Sequence, residues 1–142
     1  MVNKHLLGKF NGNPPVSEQD LVSFRSSTGL DLPEDYSDFL KFINGGEAFI
    51  GGSYAILYRL EDLMKHNKDY GFPDFHPNYF LFGSDGGGDA YAFNTRRNPW
   101  SVCVLPFIGN DECETESSRN FSEFLENLAG PTQAIINKFK ST

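Results

Sequence analysis

Apolar residues recur at helical spacing in three parts of this chain and in short unbroken runs between them. Tyr36, Phe39, Leu40 and Ile43 fall at i, i+3, i+4 and i+7, which puts them on one face of a helix. Pro33 suits the first turn of that helix, where its missing N–H is not needed, and Glu34 and Asp35 sit where the helix dipole favours negative charge. Asn44, Gly45 and Gly46 end it. An earlier helix is predicted after Ser17, an N-cap residue with Asp20 three positions on; Leu21 and Phe24 face the core and Gly29 supplies a left-handed stop. A closing helix follows Asn120 and Glu123, a capping-box-like pair, with Phe121, Phe124, Leu125 and Leu128 as its buried stripe and Gly130 and Pro131 as its stop. Ala134 to Phe139 adds a further helical turn or two.

The middle of the chain reads as strands. Tyr54–Tyr58 follows a turn-containing connection at Phe49–Gly52. Tyr79–Phe82 and Ala90–Phe93 form a hairpin, and Val102–Ile108 a further strand in which Pro106 suggests an edge or a bulge. A short helix over Leu60–Asn67 carries Leu60, Leu63 and Met64 on one side, and Gly71–Pro77 reads as loop. Residues 1–13 show no clear pattern. Helices, then strands joined by short turns, then a helix predict an α+β fold, with a mostly antiparallel sheet of about four to six strands and helices packed on it.

Length and charge narrow the function. The chain of 142 residues fits one domain, residues 1–142, with a core over about 17–128. A chain of this size buries roughly two thirds of its unfolded surface, enough for a core without disulfides or metals. Aromatic residues make up 15% of it, with 14 Phe, so that core is rich in phenylalanine. The formal net charge of -7 repels phosphate backbones, which argues against nucleic acid, and attracts a basic protein partner. Cys103 lies in an apolar run and reads as a buried strand residue, whereas Cys113 lies in an acidic loop that disfavours a thiolate; a structural disulfide is not expected. No stretch approaches the ~20 apolar residues of a membrane span, and a cytoplasmic location is the default expectation.

Candidate chemistry is sparse. Asp85 and Asp89 bracket three glycines, a spacing that serves a turn, a partner contact or a metal loop; the turn is favoured, because the oxygen-ligand count of a calcium site is missing. His5, His66 and His76 lack zinc-site spacing and read as solvated or capping residues. Asp111, Glu112, Glu114 and Glu116 form the densest negative segment, either a solvated loop or a patch that mimics nucleic-acid charge and occupies a basic cleft. Trp100, the single tryptophan, reads as core packing or as an interface anchor. No cofactor and no catalytic group is expected.

The lead-in of Gly29, Leu32 and Pro33, the helix ending in Asn44-Gly45-Gly46, the Gly83–Gly88 turn before an aromatic strand, and the closing Phe121–Leu125 helix come in an order that resembles the SUKH superfamily, in its Smi/Knr-like branch. The resemblance covers roughly residues 17–128. One departure is Phe24-Arg25, where relatives often carry an acidic residue in the first helix. The resemblance implies a binding module rather than an enzyme. Bacterial members resemble immunity proteins that neutralise a cognate toxin domain, often a nuclease; fungal members resemble regulatory scaffolds of cell-wall synthesis and signalling. It assigns no specific binding residue, because toxin-facing residues vary with the toxin.

The missing ligand spacing and the large core yield a first prediction. Thermal unfolding with and without a strong chelator should coincide, and a melting temperature several degrees lower on chelation would contradict it.

Overall fold

A computed structural model describes residues 10–50, 53–108 and 115–128. The described elements are β1 (Asn11–Gly12), α1 (Glu18–Thr28), α2 (Glu34–Phe42), β2 (Gly46–Ile50), β3 (Ser53–Leu57), a 3-10 turn (Leu60–Asp62), α3 (Leu63–Asp69), α4 (Phe72–Phe75), β4 (Tyr79–Ser84), β5 (Asp89–Asn94), β6 (Ser101–Pro106), β7 (Thr115–Ser118) and α5 (Phe121–Leu128). The strands form one antiparallel sheet in sequential order from β1 to β7. The α+β expectation holds. The sheet has one strand more than the expected upper bound, because β1 contributes a two-residue edge.

Helix boundaries follow the local signals. Ser17 and Asp20 form a reciprocal capping box, and Gly29 closes α1 with φ +73°. Pro33 is the residue before the first turn of α2, and Tyr36, Phe39 and Leu40 are fully buried. The α5 stripe of Phe121, Phe124, Leu125 and Leu128 is buried as expected, and Asn120 Oδ1 accepts from the Glu123 N–H at 2.8 Å. Asp35 adds a tertiary cap: its carboxylate accepts from the Ser122 N–H at 2.9 Å and from the Ser122 hydroxyl at 3.1 Å. The first turn of α2 thereby fixes the start of α5. Ala134–Phe139, Gly130 and Pro131 lie outside the described residues.

Alternation along β4 and β5 sends side chains to both faces of the sheet, and both faces are covered. On one face Phe80, Phe82, Tyr91 and Phe93 join α2 and α5 in the larger core. Tyr36 stands at its centre, with ring centroids 5.1 Å from Phe93, 5.0 Å from Phe121 and 5.7 Å from Phe82. On the other face Tyr79, Leu81, Ala90, Ala92, Cys103 and Leu105 pack with Phe72 of α4. Cys103 is a buried strand residue, as its apolar run indicates, and Cys113 lies outside the described residues.

Several expectations are corrected. Residues 46–50 form strand β2, paired with β3 from Gly46↔Leu57 to Ile50↔Ser53, so Phe49 and Ile50 are strand residues where Phe49–Gly52 reads as a turn-containing connection. The β2 pattern exposes Glu47 and Phe49 and carries glycine at its start, which weakens the strand signal. Pro106 does not mark an edge, because β6 lies between β5 and β7; it ends the strand instead, where a missing N–H costs little. The 71–77 loop contains the single turn α4. On α3 the inward residues are Leu63, as expected, and Asn67, whereas Met64 is half exposed.

Asn67 is buried for a specific reason. Strand β3 ends at Leu57, with the Tyr58 N–H still donating to Phe82 C=O at 3.0 Å, and the chain then turns away. Leu81 on β4 loses its strand neighbour there. The Asn67 side chain takes that place: its Oδ1 accepts from the Leu81 N–H and its Nδ2 donates to the Leu81 C=O, both at 2.9 Å. A carboxamide carries the same donor and acceptor pair as a peptide unit, so it continues the ladder by one step.

A second prediction comes from this contact. Asn67→Leu should lower the unfolding free energy by about 3 kcal/mol, since a buried polar group left without a partner costs about 1–3 kcal/mol. Lys68→Leu, on the exposed side of α3, should stay within about 0.5 kcal/mol of the parent in the same urea titration.

Candidate partner-binding surfaces

The sheet places Trp100 and the Asp85–Asp89 pair at opposite ends of its strands. Trp100 immediately precedes β6, beside the Asn94↔Ser101 pair, while Asp89 pairs with Pro106 at the far end. Five residues of strand separate the ends, about 17 Å at ~3.4 Å per residue. Trp100 and the two turn aspartates are therefore not parts of one contact patch. Glu116 lies in β7 with its backbone opposite Cys103, and Asp111, Glu112 and Glu114 lie outside the described residues.

At the first end, α1, α2, the link between them and the turn at 98–100 enclose a groove of about 570 Å³. Trp100 is partly buried in its wall, with ring centroids 5.6 Å from Phe93 and 6.2 Å from Phe80. The indole is thus backed by the core along one side and faces the groove along another. Leu21, Leu30 and Leu32 supply further apolar wall, all packed against the same core, and Val22 adds an exposed apolar side chain. Glu18, Asp31, Glu34 and Asp38 line the groove as acids, against Arg25 and Lys41 as bases. Lys41 Nζ lies 3.2 Å from Glu18 and 3.5 Å from Asp38, and these partners hold its ammonium pKa above the usual lysine value. Arg25 lies 4.0 Å from Asp31, an exposed ion pair on the groove rim.

The second end is the β4–β5 turn. Asp85 Oδ1 accepts from the Gly87 N–H at 2.8 Å and the Asp89 N–H at 3.2 Å, so its carboxylate closes the turn from within. Gly86 has φ +82°, and a Cβ there would lie 2.7 Å from the Tyr54 ring. The sensitive glycine is therefore Gly86, not Gly87, whose φ is negative and whose added Cβ would meet only Asp85 Oδ1 at 3.5 Å. Asp85 and Asp89 border a 220 Å³ pocket with Tyr91, Val104, Phe124 and Leu128. Burial first, and then the Asp85 and Asp89 charges, push the Tyr91 hydroxyl up to about 12, so it stays a neutral donor at ordinary pH.

Of the histidines, His66 lies in the last turn of α3 as a capping role expects, whereas His76 departs from the expectation of a solvated residue. His66 stacks on Tyr58 with centroids 3.9 Å apart, and His76 is buried beside Phe72. His5 lies outside the described residues. Among the described residues no group of three or more His, Cys, Asp or Glu side chains is arranged to hold a metal ion. No helix among them is long and apolar enough to cross a membrane.

The SMI1 / KNR4 family (SUKH-1) profile matches residues 15–127, well over half of the chain. The chain belongs to that family. It is also similar to the "Uncharacterized protein YnaB" of Bacillus subtilis (strain 168), 29% identical over 89 residues, which are 63% of this chain and 57% of that relative. The matched part thus spans a little over half of the relative's length. The family span includes both ends of the sheet, the groove and the Asn44-Gly45-Gly46 corner.

That corner explains one hallmark of the SUKH-1 chain physically. Asn44 Oδ1 accepts from the Leu60 N–H at 2.8 Å and its Nδ2 donates to Glu61 at 2.6 Å, so one amide ties the end of α2 to the 3-10 turn. Gly45, with φ +73°, lets the backbone pass against β3, where a Cβ would lie 2.5 Å from Leu57 O. Sequence reasoning sees these residues only as a helix stop. It also reads Glu34 as a dipole partner alone, because the groove assembles residues from 18 to 100 and has no local signature.

A third prediction concerns the acidic turn. Gly86→Ala should destabilise by about 1–3 kcal/mol, the usual cost of a non-glycine residue held in the left-handed region. Gly87→Ala should be near neutral in the same thermal melts.

Proposed function

We propose that this protein is an immunity protein that neutralises a cognate bacterial toxin domain by stoichiometric binding. The observation that carries the reading is membership of the SMI1 / KNR4 family over residues 15–127. The family points to protein–protein recognition. The surface chemistry supports the same direction: an aromatic-walled groove with an excess of carboxylates suits a protein ligand and offers no nucleophile paired with a base. In this reading the chain acts as a single domain, without catalysis, in the cytoplasm where the toxin would otherwise act. The net charge of -7 speeds encounter with a basic toxin domain. The segment with Asp111, Glu112, Glu114 and Glu116 contributes to that steering.

The fourth prediction is that a neighbouring gene encodes a toxin domain that this protein binds. The two proteins should form a complex of fixed stoichiometry, and co-expression should protect cells from the toxin. Association should slow as salt rises, because exposed charges are screened beyond about 8 Å at physiological ionic strength. Changing Asp111 to Asn and Glu112, Glu114 and Glu116 to Gln should slow association further at low salt while leaving the melting temperature in place. Absence of both binding and protection would overturn the immunity role and favour a regulatory scaffold; wild-type rates in the quadruple variant at every salt concentration would remove the acidic segment from it.

A further inference from the structure

We infer that the groove between α1, α2 and the 98–100 turn is the docking site for a partner segment presenting an apolar side chain beside a lysine or arginine. The inference deepens the binding role proposed above and rests on it for the existence of a protein partner. It commits to this groove and to a basic, apolar ligand.

The apolar half of the site is preformed. Leu21, Leu32 and Trp100 are partly buried and already packed against the core, so their positions are fixed before a ligand arrives. A rigid indole backed by Phe80 and Phe93 loses little conformational freedom on binding, which is the property that makes tryptophan an effective anchor. The groove, at about 570 Å³, has room for more than one side chain.

The charged half sets the sign of the ligand. Four carboxylates line the groove against two cations, and both cations lie within 4.0 Å of groove carboxylates. Two negative charges therefore remain uncompensated. Glu34 is exposed, and its side chain makes no hydrogen bond or ion pair among the described residues. A lysine or arginine can lay its aliphatic stem on the apolar wall while its charge reaches Glu34 and Asp31. The same cation can approach the face of the Trp100 ring. An acidic segment would meet like charge, and so would a second copy of this chain, which itself carries a net charge of -7. The electrostatics thus favour a foreign, basic partner over self-association.

Trp100 is the single tryptophan in the chain, so its emission reports on this groove alone. The fifth prediction is read from it. The full chain is titrated with a synthetic twelve-residue helix of Leu, Ala and Lys, and with a counterpart carrying Glu in place of Lys. The lysine peptide should shift Trp100 emission saturably to shorter wavelength, and the glutamate peptide should not. Asp31→Lys with Glu34→Lys should weaken binding about tenfold or more. The neutral pair Asp31→Asn with Glu34→Gln should weaken it by a smaller factor and separates lost attraction from added repulsion. Asp74→Lys, on α4 at the opposite face of the sheet, should change binding by less than about twofold. The docking site is overturned if the paired reversals bind as the parent does, if Asp74→Lys loses as much, or if the glutamate peptide binds equally well. Cell protection that survives loss of peptide binding would overturn the groove and leave the immunity role. Peptide binding without protection would do the opposite.

Discussion

Covering strands β4, β5 and β6 on both faces leaves their backbone groups no access to water, so each must find a partner inside the protein. All six residues of β4 are buried, and so are five of the six in β5. Ladder bonds satisfy most of them. Where β3 departs, the Asn67 side chain substitutes for a strand at Leu81. Where α2 ends, the Asn44 side chain performs a similar task for the 3-10 turn. The helices on one side are linked to each other by Asp35, which belongs to α2 and caps α5. These polar contacts fix where the elements sit, and the aromatic cluster around Tyr36 then fills the space between them. The Tyr36 hydroxyl has no hydrogen-bond partner among the described residues, and burial alone raises its pKa.

A sheet filled in this way has no room for a solvated cleft across its middle. Two accessible features lie at the ends of the strands, and a further groove of about 580 Å³ lies between α1, residues 13–16 and the 3-10 turn. One end carries the Trp100 groove, the other the Asp85–Asp89 turn, and a strand length separates them. The two ends differ in kind. At the turn, the Asp85 carboxylate is engaged with backbone N–H groups and holds its own loop. At the groove, the carboxylates lie on exposed rims, with apolar side chains between them. The groove therefore has the composition of a recognition surface, and the turn that of a scaffold element with a small pocket beside it.

What was legible in the sequence was local. The Ser17 cap, the Gly29 stop, the face of α2 and the stripe of α5 each depend on residues a few positions apart, and each appears where its spacing indicates. The β4–β5 hairpin is announced by glycines between two apolar runs. Strand β2 was missed because its outward Glu47 and Phe49 and its leading glycine resemble a loop. Asn67 was missed because its role belongs to β4, fourteen residues away. The position of strain in the turn could not be assigned among three adjacent glycines; the backbone path over Tyr54 selects Gly86. The groove was invisible for the same reason as Asn67, since Leu21, Glu34 and Trp100 meet only after the helices have docked on the sheet.

The scaffold and the recognition surface draw on different kinds of residue. Asn44, Gly45 and Asn67 are fixed by geometry, because no other side chain supplies the same donor and acceptor pair in the same space, or the same positive φ. The groove acids are exposed, and exposed ion pairs such as Arg25–Asp31 and Lys41–Glu18 are largely screened by solvent and contribute little to stability. Their charges can change sign or position at little cost to the fold. Trp100 stands between the two groups, held by Phe80 and Phe93 on one side and open to the groove on the other. Arg25 on the groove rim, 4.0 Å from Asp31, is an exposed charge of the second kind.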